Sequence, residues 1–587
     1  MYKQKCGIVF ITLLLSLLFL VMAMGYILSY SPGVFPDEFA HMAYVGNVMD
    51  RGFPNYSSGT ILPGGKLNYL NHPALYYLIV GGLANFLDLQ GMYAMIGRYV
   101  NMLISILIII FTCRMLYSAT KSKLSTFCGG AFLLVIPMFV VSGSAVSNDQ
   151  INVLGCTLVL HGLLDIIETH KDNKSITYSV ITICIGGIIA ALSKATGSLA
   201  IVCLLISVCL FNFSKLSEVI KKITFRQWVI IISSLAIIAI YYLNIYVVYG
   251  RFYPAPQGNP ALWFAVDHPG AKRLGLTEFI VNFYQANLVT LTIPYGHAAI
   301  SDNDIRITVL KTILLMLVWM TIFVIVKKLS VTNSCFNLTF SFVIAFACFI
   351  ITYLFTIRQL HINTGYLGAM QARYFFGFLP VFSLVIAKII AIIKNKAVRV
   401  ILFSLIVSGL ITALYPPLIK FSELRAWKSL TIVEQPLYNT GYGYLTKGRR
   451  FEQVIEADSS TLIGVELMLA TFARRNYGVL TLELSDQAGK VIASNTVRLE
   501  TLKDNKYAWF DFHQAALTKN QKYNLILKCD ECTQDNAITW WAVKKEYEST
   551  IFLLTKFGPG VGGIYPKGNA YVDGKDVGGA FAFRLYF

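Results

Sequence analysis

Directly after the first long apolar run stands Pro36-Asp37-Glu38-Phe39-Ala40-His41. Asp37 and His41 are four residues apart, so on a helix they share one face, with Glu38 beside it. A carboxylate held at a lipid boundary can serve as a general base toward a hydroxyl arriving from the aqueous side. The same residues also make an ordinary helix start, a proline before an acidic first turn. A second group follows at His72-Pro73-Ala74-Leu75-Tyr76-Tyr77-Leu78.

The elements that position these residues are set by lipid. The chain has 587 residues, of which 56% are hydrophobic and 14% charged, against about 25% charged in ordinary soluble proteins. Mean hydropathy is +0.61. The net charge of +18 does not indicate nucleic acid: the basic residues fall in short clusters between apolar runs, as topology signals do. Runs of about 20 apolar residues mark transmembrane helices. They predict eleven, near 7–28, 99–117, 124–143, 150–168, 176–193, 196–213, 227–248, 307–326, 336–356, 374–393 and 398–418. The first is longer than the h-region of a signal peptide and lacks a clean cleavage site, so it reads as a retained anchor.

Lysine and arginine set the orientation. Lys3/Lys5, Lys121/Lys123, Lys171/Lys174, Lys215/Lys221/Lys222/Arg226, Lys327/Lys328 and Lys394/Lys396/Arg399 occupy every second loop. The positive-inside rule makes these loops cytoplasmic. Segments 29–98, 249–306 and 357–373 and the C-terminus then lie outside, in the periplasm or cell exterior of a bacterium or the ER lumen of a eukaryote; the many short loops and the absence of long cytoplasmic domains favour a bacterial inner membrane. Within 29–98 the apolar piece after His72 is too short to span and predicts a helix in the membrane interface, with Tyr76 and Tyr77 at headgroup level.

Residues 1–420 form the membrane module, 421–449 a linker, and 450–587 a β-rich domain. In the last, Val479-Leu480-Thr481-Leu482-Glu483-Leu484 alternates with period two, and Tyr507–Phe510, Tyr523–Leu527 and Ala580–Phe583 repeat the pattern between turns. Short strands so spaced predict a β-sandwich or jelly roll, able to bind carbohydrate or to cap the membrane part. Of eleven cysteines, nine lie within the first 350 residues, mostly in apolar runs. Cys529 and Cys532 lack the further ligands of a zinc site and read as a structural disulfide.

Pro36-Asp37-Glu38 after the first span, then His72-Pro73 with Leu75-Tyr76-Tyr77, resembles the GT-C glycosyltransferase superfamily. The nearest likeness is a bacterial membrane-protein family with PDExxH, HPPLYYL and QxRY motifs; Ala74 replaces its second proline. Arg98-Tyr99 with Asn101, Ser147-Asn148-Asp149, Lys194 with Gly197, and Gln371-Ala372-Arg373-Tyr374 match further pieces in order. The resemblance implies transfer of a sugar from a polyprenyl-phosphate donor to a glycan or lipid-linked acceptor on the outer face, in cell-envelope polysaccharide synthesis or modification. It implies an inverting displacement with Asp37 as base and Glu38 and His41 beside it. Developing charge on the leaving phosphate needs cations, which Arg373 and Lys194 would supply, with Arg358 as an alternate. His72, Tyr76, Asn148, Asp149 and Tyr374 would line the substrate site; Asp149 is also a good helix N-cap. A divalent cation, Mg or Mn, stays open, with Asp37, Glu38 and Asp149 as oxygen ligands.

Three other readings compete. A lipid-linked oligosaccharide polymerase or ligase would use a carrier diphosphate and would not depend on the early Asp-Glu pair. A transporter or flippase would carry repeats or mid-membrane charges, whereas here the charges gather at the outer ends. A non-catalytic scaffold would keep its function without Asp37.

Overall fold

The computed structural model describes residues 2–30, 37–54, 72–89, 92–169, 173–250, 270–292, 311–315, 334–427, 432–435, 440–472, 474–502, 504–544 and 565–587, with a few isolated residues between them. The chain divides into a helical unit, essentially residues 1–424, and a β unit from Arg425 to Phe587.

The helical unit opens with α1 (Tyr2–Ser29), followed by short α2 (Glu38–Arg51) and α3 (Leu75–Phe86). Then come α4 (Tyr93–Thr120), α5 (Lys123–Val135), α6 (Pro137–Gly143), α7 (Asp149–Leu164), α8 (Asn173–Ala191), α9 (Ala195–Phe211), α10 (Phe213–Lys222) and α11 (Phe225–Tyr249). After α12 (Leu276–Thr292) and α13 (Ser334–Thr364), a 3₁₀ turn over Ala372–Phe378 leads into α14 (Leu379–Ile392) and α15 (Lys396–Trp427). Among the described residues seven helices are long and apolar enough to cross a membrane, and nine if two bent pairs each count as one span. The chain is an integral membrane protein. The bent pairs are α5–α6, turned by 72°, and α9–α10, turned by 101°. Pro137 at the start of α6 explains the first, since proline cannot continue the backbone ladder. The expected span at 176–193 is a shorter apolar helix, Ile176–Ala191. The one expected at 307–326 lies mostly outside the described residues.

Tight packing without a hydrophobic driving force relies on small residues. Gly155 of α7 faces α8 so closely that a Cβ would stand 2.6 Å from the Ala190 nitrogen, and one on Gly186 would stand 2.6 Å from the Gly155 carbonyl oxygen. This contact sets the spacing of Asp149, at the start of α7, and Lys194, just after α8.

One expectation is corrected. Tyr76 and Tyr77 of α3 do not face out of the protein: both are fully buried. Tyr77 stacks on Tyr44 of α2 at 3.7 Å, and the Tyr76 hydroxyl donates to the Gly97 carbonyl at 3.2 Å. Their polar ends find partners inside the protein, so burial satisfies them better than the interface would.

The β unit is a sandwich of two antiparallel sheets. The seven-stranded sheet runs β1 (Ile432–Gln435), β13 (Phe583–Tyr586), β4 (Thr461–Ala470), β9 (Thr539–Lys544), β12 (Gly579–Phe581), with β2 (Thr440–Gly441) on β9 and β7 (Lys506–Ala516) on β4. The six-stranded sheet runs β11 (Lys575–Asp576), β10 (Ala570–Val572), β3 (Arg450–Glu456), β8 (Lys522–Lys528), β5 (Val479–Asp486), β6 (Val491–Arg498). Period-two alternation does the work: Leu480, Leu482 and Leu484 point inward, and the last two face Leu527 and Leu525 in register. They meet Val465, Phe510, Trp540 and Phe583 in one core. Within 421–449, α15 continues to Trp427 and β1 and β2 join the sheet. Cys529 and Cys532 form a disulfide.

Replacing Gly155 with leucine should overpack the α7–α8 contact and cost about 1–3 kcal/mol, read as a lower thermal midpoint of the purified protein in detergent; an unchanged midpoint would mean that the helices can separate freely.

Candidate active site

The first constraint on the site is a buried ion pair. Glu38, at the start of α2, receives the Arg98 guanidinium as a fork, Nε to Oε1 at 2.8 Å and Nη2 to Oε2 at 2.9 Å, with both side chains fully buried. Glu38 Oε1 also accepts from the Val146 backbone nitrogen at 2.9 Å. Arg98 donates further to the Tyr30 carbonyl at 2.6 Å and lies 4.9 Å from the Phe35 ring. One carboxylate thereby ties together the end of α1, the start of α2, α4 and the loop before α7. Asn101 fastens the same loop through the carbonyls of Ala145 and Ser147, at 2.6 and 2.8 Å. Asn148 bonds the Ser193 carbonyl at 2.7 Å.

On this frame Asp37 takes an unusual position. It is the N-cap residue of α2 in left-handed conformation, φ 59°, and its side chain makes no capping bond. The carboxylate turns instead to Arg373, which forms an ion pair with it. Arg373 also approaches Asp149 Oδ2 at 3.5 Å, and Lys194 pairs with Asp149 Oδ1. Tyr374 lies under both cations, 4.8 Å from Lys194 and 5.8 Å from Arg373. Two carboxylates and two cations thus alternate along a line from Asp37 to Lys194. Asp37 is 19% exposed, against 1% for Asp149 and 5% for each cation. Asp37 is therefore the member open to a reactant from outside the protein. Asp149 Oδ2 and Asn148 Oδ1 are buried and receive no hydrogen bond among the described residues; buried acceptors normally have donors.

Two histidines border the cluster. His41 Nδ1 and the Tyr77 hydroxyl are 2.7 Å apart, and the His41 ring stacks on His72 at 6.0 Å. Burial holds His41 well below the usual histidine range, and the nearby His72 and Arg373 act in the same direction. Burial, reinforced by Lys194, pushes His72 down to about 3. Both imidazoles are neutral at pH 7. Lys194 is also lowered by burial, with Asp149 opposing the shift. Tyr366, in the segment before the 3₁₀ turn, is raised by burial and by the charge of Asp37.

Of the residues singled out from the sequence, Asp37, Asp149, Lys194, Arg373 and Tyr374 come together, with His41 and His72 at the border. Glu38 stands behind them in its fork with Arg98. Tyr76 packs α3 on α4. Arg358 binds the Leu274 carbonyl at 2.8 Å and lies 5.0 Å from the Phe279 ring, so it pins the segment before α12. Asp149 is not an N-cap: Asn148 takes that position and Asp149 is the first helical residue. Among the described residues no three His, Cys, Asp or Glu side chains gather as metal ligands. Asp37 and Asp149 face cations and Glu38 is committed to Arg98, so this set does not fit a divalent ion. Sequence reasoning missed Arg98 as the partner of Glu38, although an arginine near the start of an apolar helix signals a buried polar partner. It read Tyr77 as an interfacial residue and not as the partner of His41, and it missed Tyr366, which no local pattern marks.

No protein-family model and no curated protein matches the chain. Among solved structures it is similar to ArnT from Cupriavidus metallidurans bound to undecaprenyl phosphate, with 15% identity and a TM-score of 0.43 over 66% of this chain and 62% of that one. It is similar to the same protein in the apo state at 14% identity and TM-score 0.42, over 69% and 75% of the two chains. The apo oligosaccharyltransferase of Archaeoglobus fulgidus follows at 13% and 0.39, over 71% and 55%. The chain thus spans about three fifths of the first neighbour's length.

Two outcomes test the frame and the histidines. Glu38→Gln leaves Arg98 buried without its counter-charge and should cost about 3–5 kcal/mol, whereas Glu38→Leu with Arg98→Met should recover much of that loss; thermal unfolding in detergent measures both. His72 is neutral when folded but protonates below about 6.5 when unfolded, so acid favours the unfolded chain. Stability should fall as pH drops from about 6.5 toward about 3, and His72→Asn should flatten the thermal midpoint's slope between pH 7 and pH 5.

Proposed function

We propose that this protein is a membrane glycosyltransferase that moves a sugar from a polyprenyl-phosphate carrier to a hydroxyl of a glycan or lipid-linked acceptor. The observation that carries this reading is the Asp37–Arg373–Asp149–Lys194 line, with an accessible carboxylate at one end and buried cations behind it. The line is built from the starts of α2, α7, α9 and the 3₁₀ turn before α14. These connections are the ones that the lysine pattern assigns to the extracytoplasmic side. A carrier of this kind has its isoprenoid tail in lipid and its phosphate and sugar at the surface, and helix ends at one face meet both requirements.

The reaction balances on these residues. The acceptor oxygen attacks the anomeric carbon from the side opposite the phosphate, and its proton passes to the Asp37 carboxylate. The bond from that carbon to the carrier phosphate breaks, and its electron pair leaves with the phosphate. The products are the inverted glycoside and the polyprenyl phosphate. Arg373 and Lys194 compensate the charge that grows on the leaving oxygen, Arg373 with a planar fork suited to phosphate. Because Arg373 is paired with Asp37, an incoming phosphate competes for the same guanidinium and frees the base as the donor arrives. Asp149 and Asn148 hold buried acceptor atoms that a sugar's hydroxyls would satisfy. Glu38 acts through the frame as a positioning residue, and neutral His41 and His72 are suited to hydroxyl contacts.

The test is transfer by the purified protein from a panel of polyprenyl-phosphate sugars, with the intact chain beside Asp37→Asn. Asp37→Asn should lower turnover by roughly 10²–10⁴-fold, the usual contribution of a general base, with carrier binding retained. Arg373→Ala should weaken carrier binding itself. Equal transfer by Asp37→Asn would remove it as the base, and turnover only of a diphosphate-linked glycan would favour a polymerase or ligase.

A further inference from the structure

The β unit holds a cavity of its own, apart from the residues that the proposed transfer uses. It has a volume of about 300 Å³ and is lined by Tyr444, Phe472, Trp541, Asp504, Asn505 and Thr539 among others. It opens on the seven-stranded sheet where β2, β4 and β9 meet. Its walls are unusual for a surface. Tyr444 is 39% exposed and Phe472 37%, their rings set edge to face at 4.9 Å. Outside the lining itself, Tyr438, 43% exposed, lies 5.5 Å from Trp541. A single exposed aromatic is ordinary, but a contiguous group around a hollow marks a binding surface.

The polar groups are held in place. Trp541 Nε1 donates to Asn505 Oδ1 at 2.7 Å, and Asn505 Nδ2 donates to Asp504 Oδ2 at 3.1 Å. Asp504 Oδ1 accepts from the Thr471 backbone nitrogen at 2.6 Å. The chain fixes the indole plane to the loop opposite. Phe472 and Asn505 are both left-handed, with φ 58° and 55°; for a bulky side chain such as phenylalanine this conformation is costly and gathers at ligand sites. The Thr539 hydroxyl is buried without a hydrogen-bond partner, in a residue only 3% exposed. A buried hydroxyl in that state calls for a polar group from elsewhere.

We propose that this cavity is a saccharide-binding site for a neutral pyranose. A pyranose presents an apolar C–H face to aromatic rings and hydroxyls around its rim. Tyr444, Phe472 and Trp541 supply the apolar contact; Asp504, Asn505 and Thr539 supply acceptors and donors. The volume, at the low end of the range for small-molecule sites, holds about one or two rings. An acyl chain would desolvate the Asp504–Asn505 side and leave the Thr539 hydroxyl without a partner. The inference goes beyond the proposed transfer and does not depend on it.

The experiment uses the full-length protein in nanodiscs. Saturation-transfer NMR reads binding of glucose, galactose, mannose, N-acetylglucosamine and their disaccharides. At least one should bind, and Tyr444→Ala and Phe472→Gly should each weaken it about tenfold with the thermal midpoint unchanged. Glycine accepts the left-handed conformation of Phe472, so that variant removes the ring and keeps the loop. Asp37→Asn should bind the sugar as the intact chain does, which separates this site from the transfer site. Binding of no sugar in the panel, or equal binding by Phe472→Gly, would overturn the proposal.

Discussion

The fork between Glu38 and Arg98 is the constraint on which the rest of the helical unit depends. Both side chains are fully buried, and a lone charge in such surroundings is too costly to persist. Each must stay within reach of the other, and the backbone must close around them. Because Glu38 also accepts from the Val146 nitrogen and Arg98 donates to the Tyr30 carbonyl, the pair fixes four segments at once. Asp37 is next to Glu38 and Asp149 follows closely after Val146. The two carboxylates of the candidate site are thus placed by a pair that is not itself part of the accessible line.

The placement has a chemical consequence. Asp37 is not used to cap its helix, although capping is the usual role for aspartate there. The helix start still favours a negative charge beside it, and Arg373 reinforces that preference. A partly exposed carboxylate paired with a buried cation is the arrangement that the proposed transfer asks of its base. Asp149, buried between Lys194 and Arg373, serves another purpose: it keeps two cations close together without mutual repulsion. Neutral histidines at the border add polarity without adding charge, so a phosphate approaching the line meets cations balanced only by carboxylates.

Much of this was legible in the sequence where one side chain answers to one local rule. Apolar runs gave the helices, with the break at Pro137 less visible because α5 and α6 read as one run, and with α10 unseen because its lysines read as a loop. Alternation gave the strands of the sandwich, since each inward residue of β5 and β8 must meet its partner across the sheet. Asp37, Lys194 and Arg373 stood out because charges are scarce in an apolar chain and theirs fell at helix ends. What sequence could not reveal were pairings across long separations. Glu38 looked like a companion of Asp37 because it is adjacent, yet its partner is Arg98 on another helix. Tyr76 and Tyr77 looked interfacial because they are amphipathic, yet Tyr44 and Gly97 offered them partners inside. Arg358 looked like a phosphate ligand because it is an outer-end arginine, yet the Leu274 carbonyl holds it.

The two units rest on opposite uses of aromatic residues. In the helical unit Tyr77, Tyr44 and His41 are stacked and buried, and their polar atoms are spent on holding α2 against α3. Rigid packing there holds the elements that carry the charged line. In the β unit the core is already complete with Trp540, Phe510 and Phe581, so Tyr444, Phe472 and Tyr438 are not needed to close it. Aromatic surface left over from a finished core, with a strained backbone and a buried hydroxyl beside it, is costly to keep. A fold retains such an arrangement when something outside the chain offsets the cost, and the mixed apolar and polar character of this cavity suits a ligand with both kinds of surface.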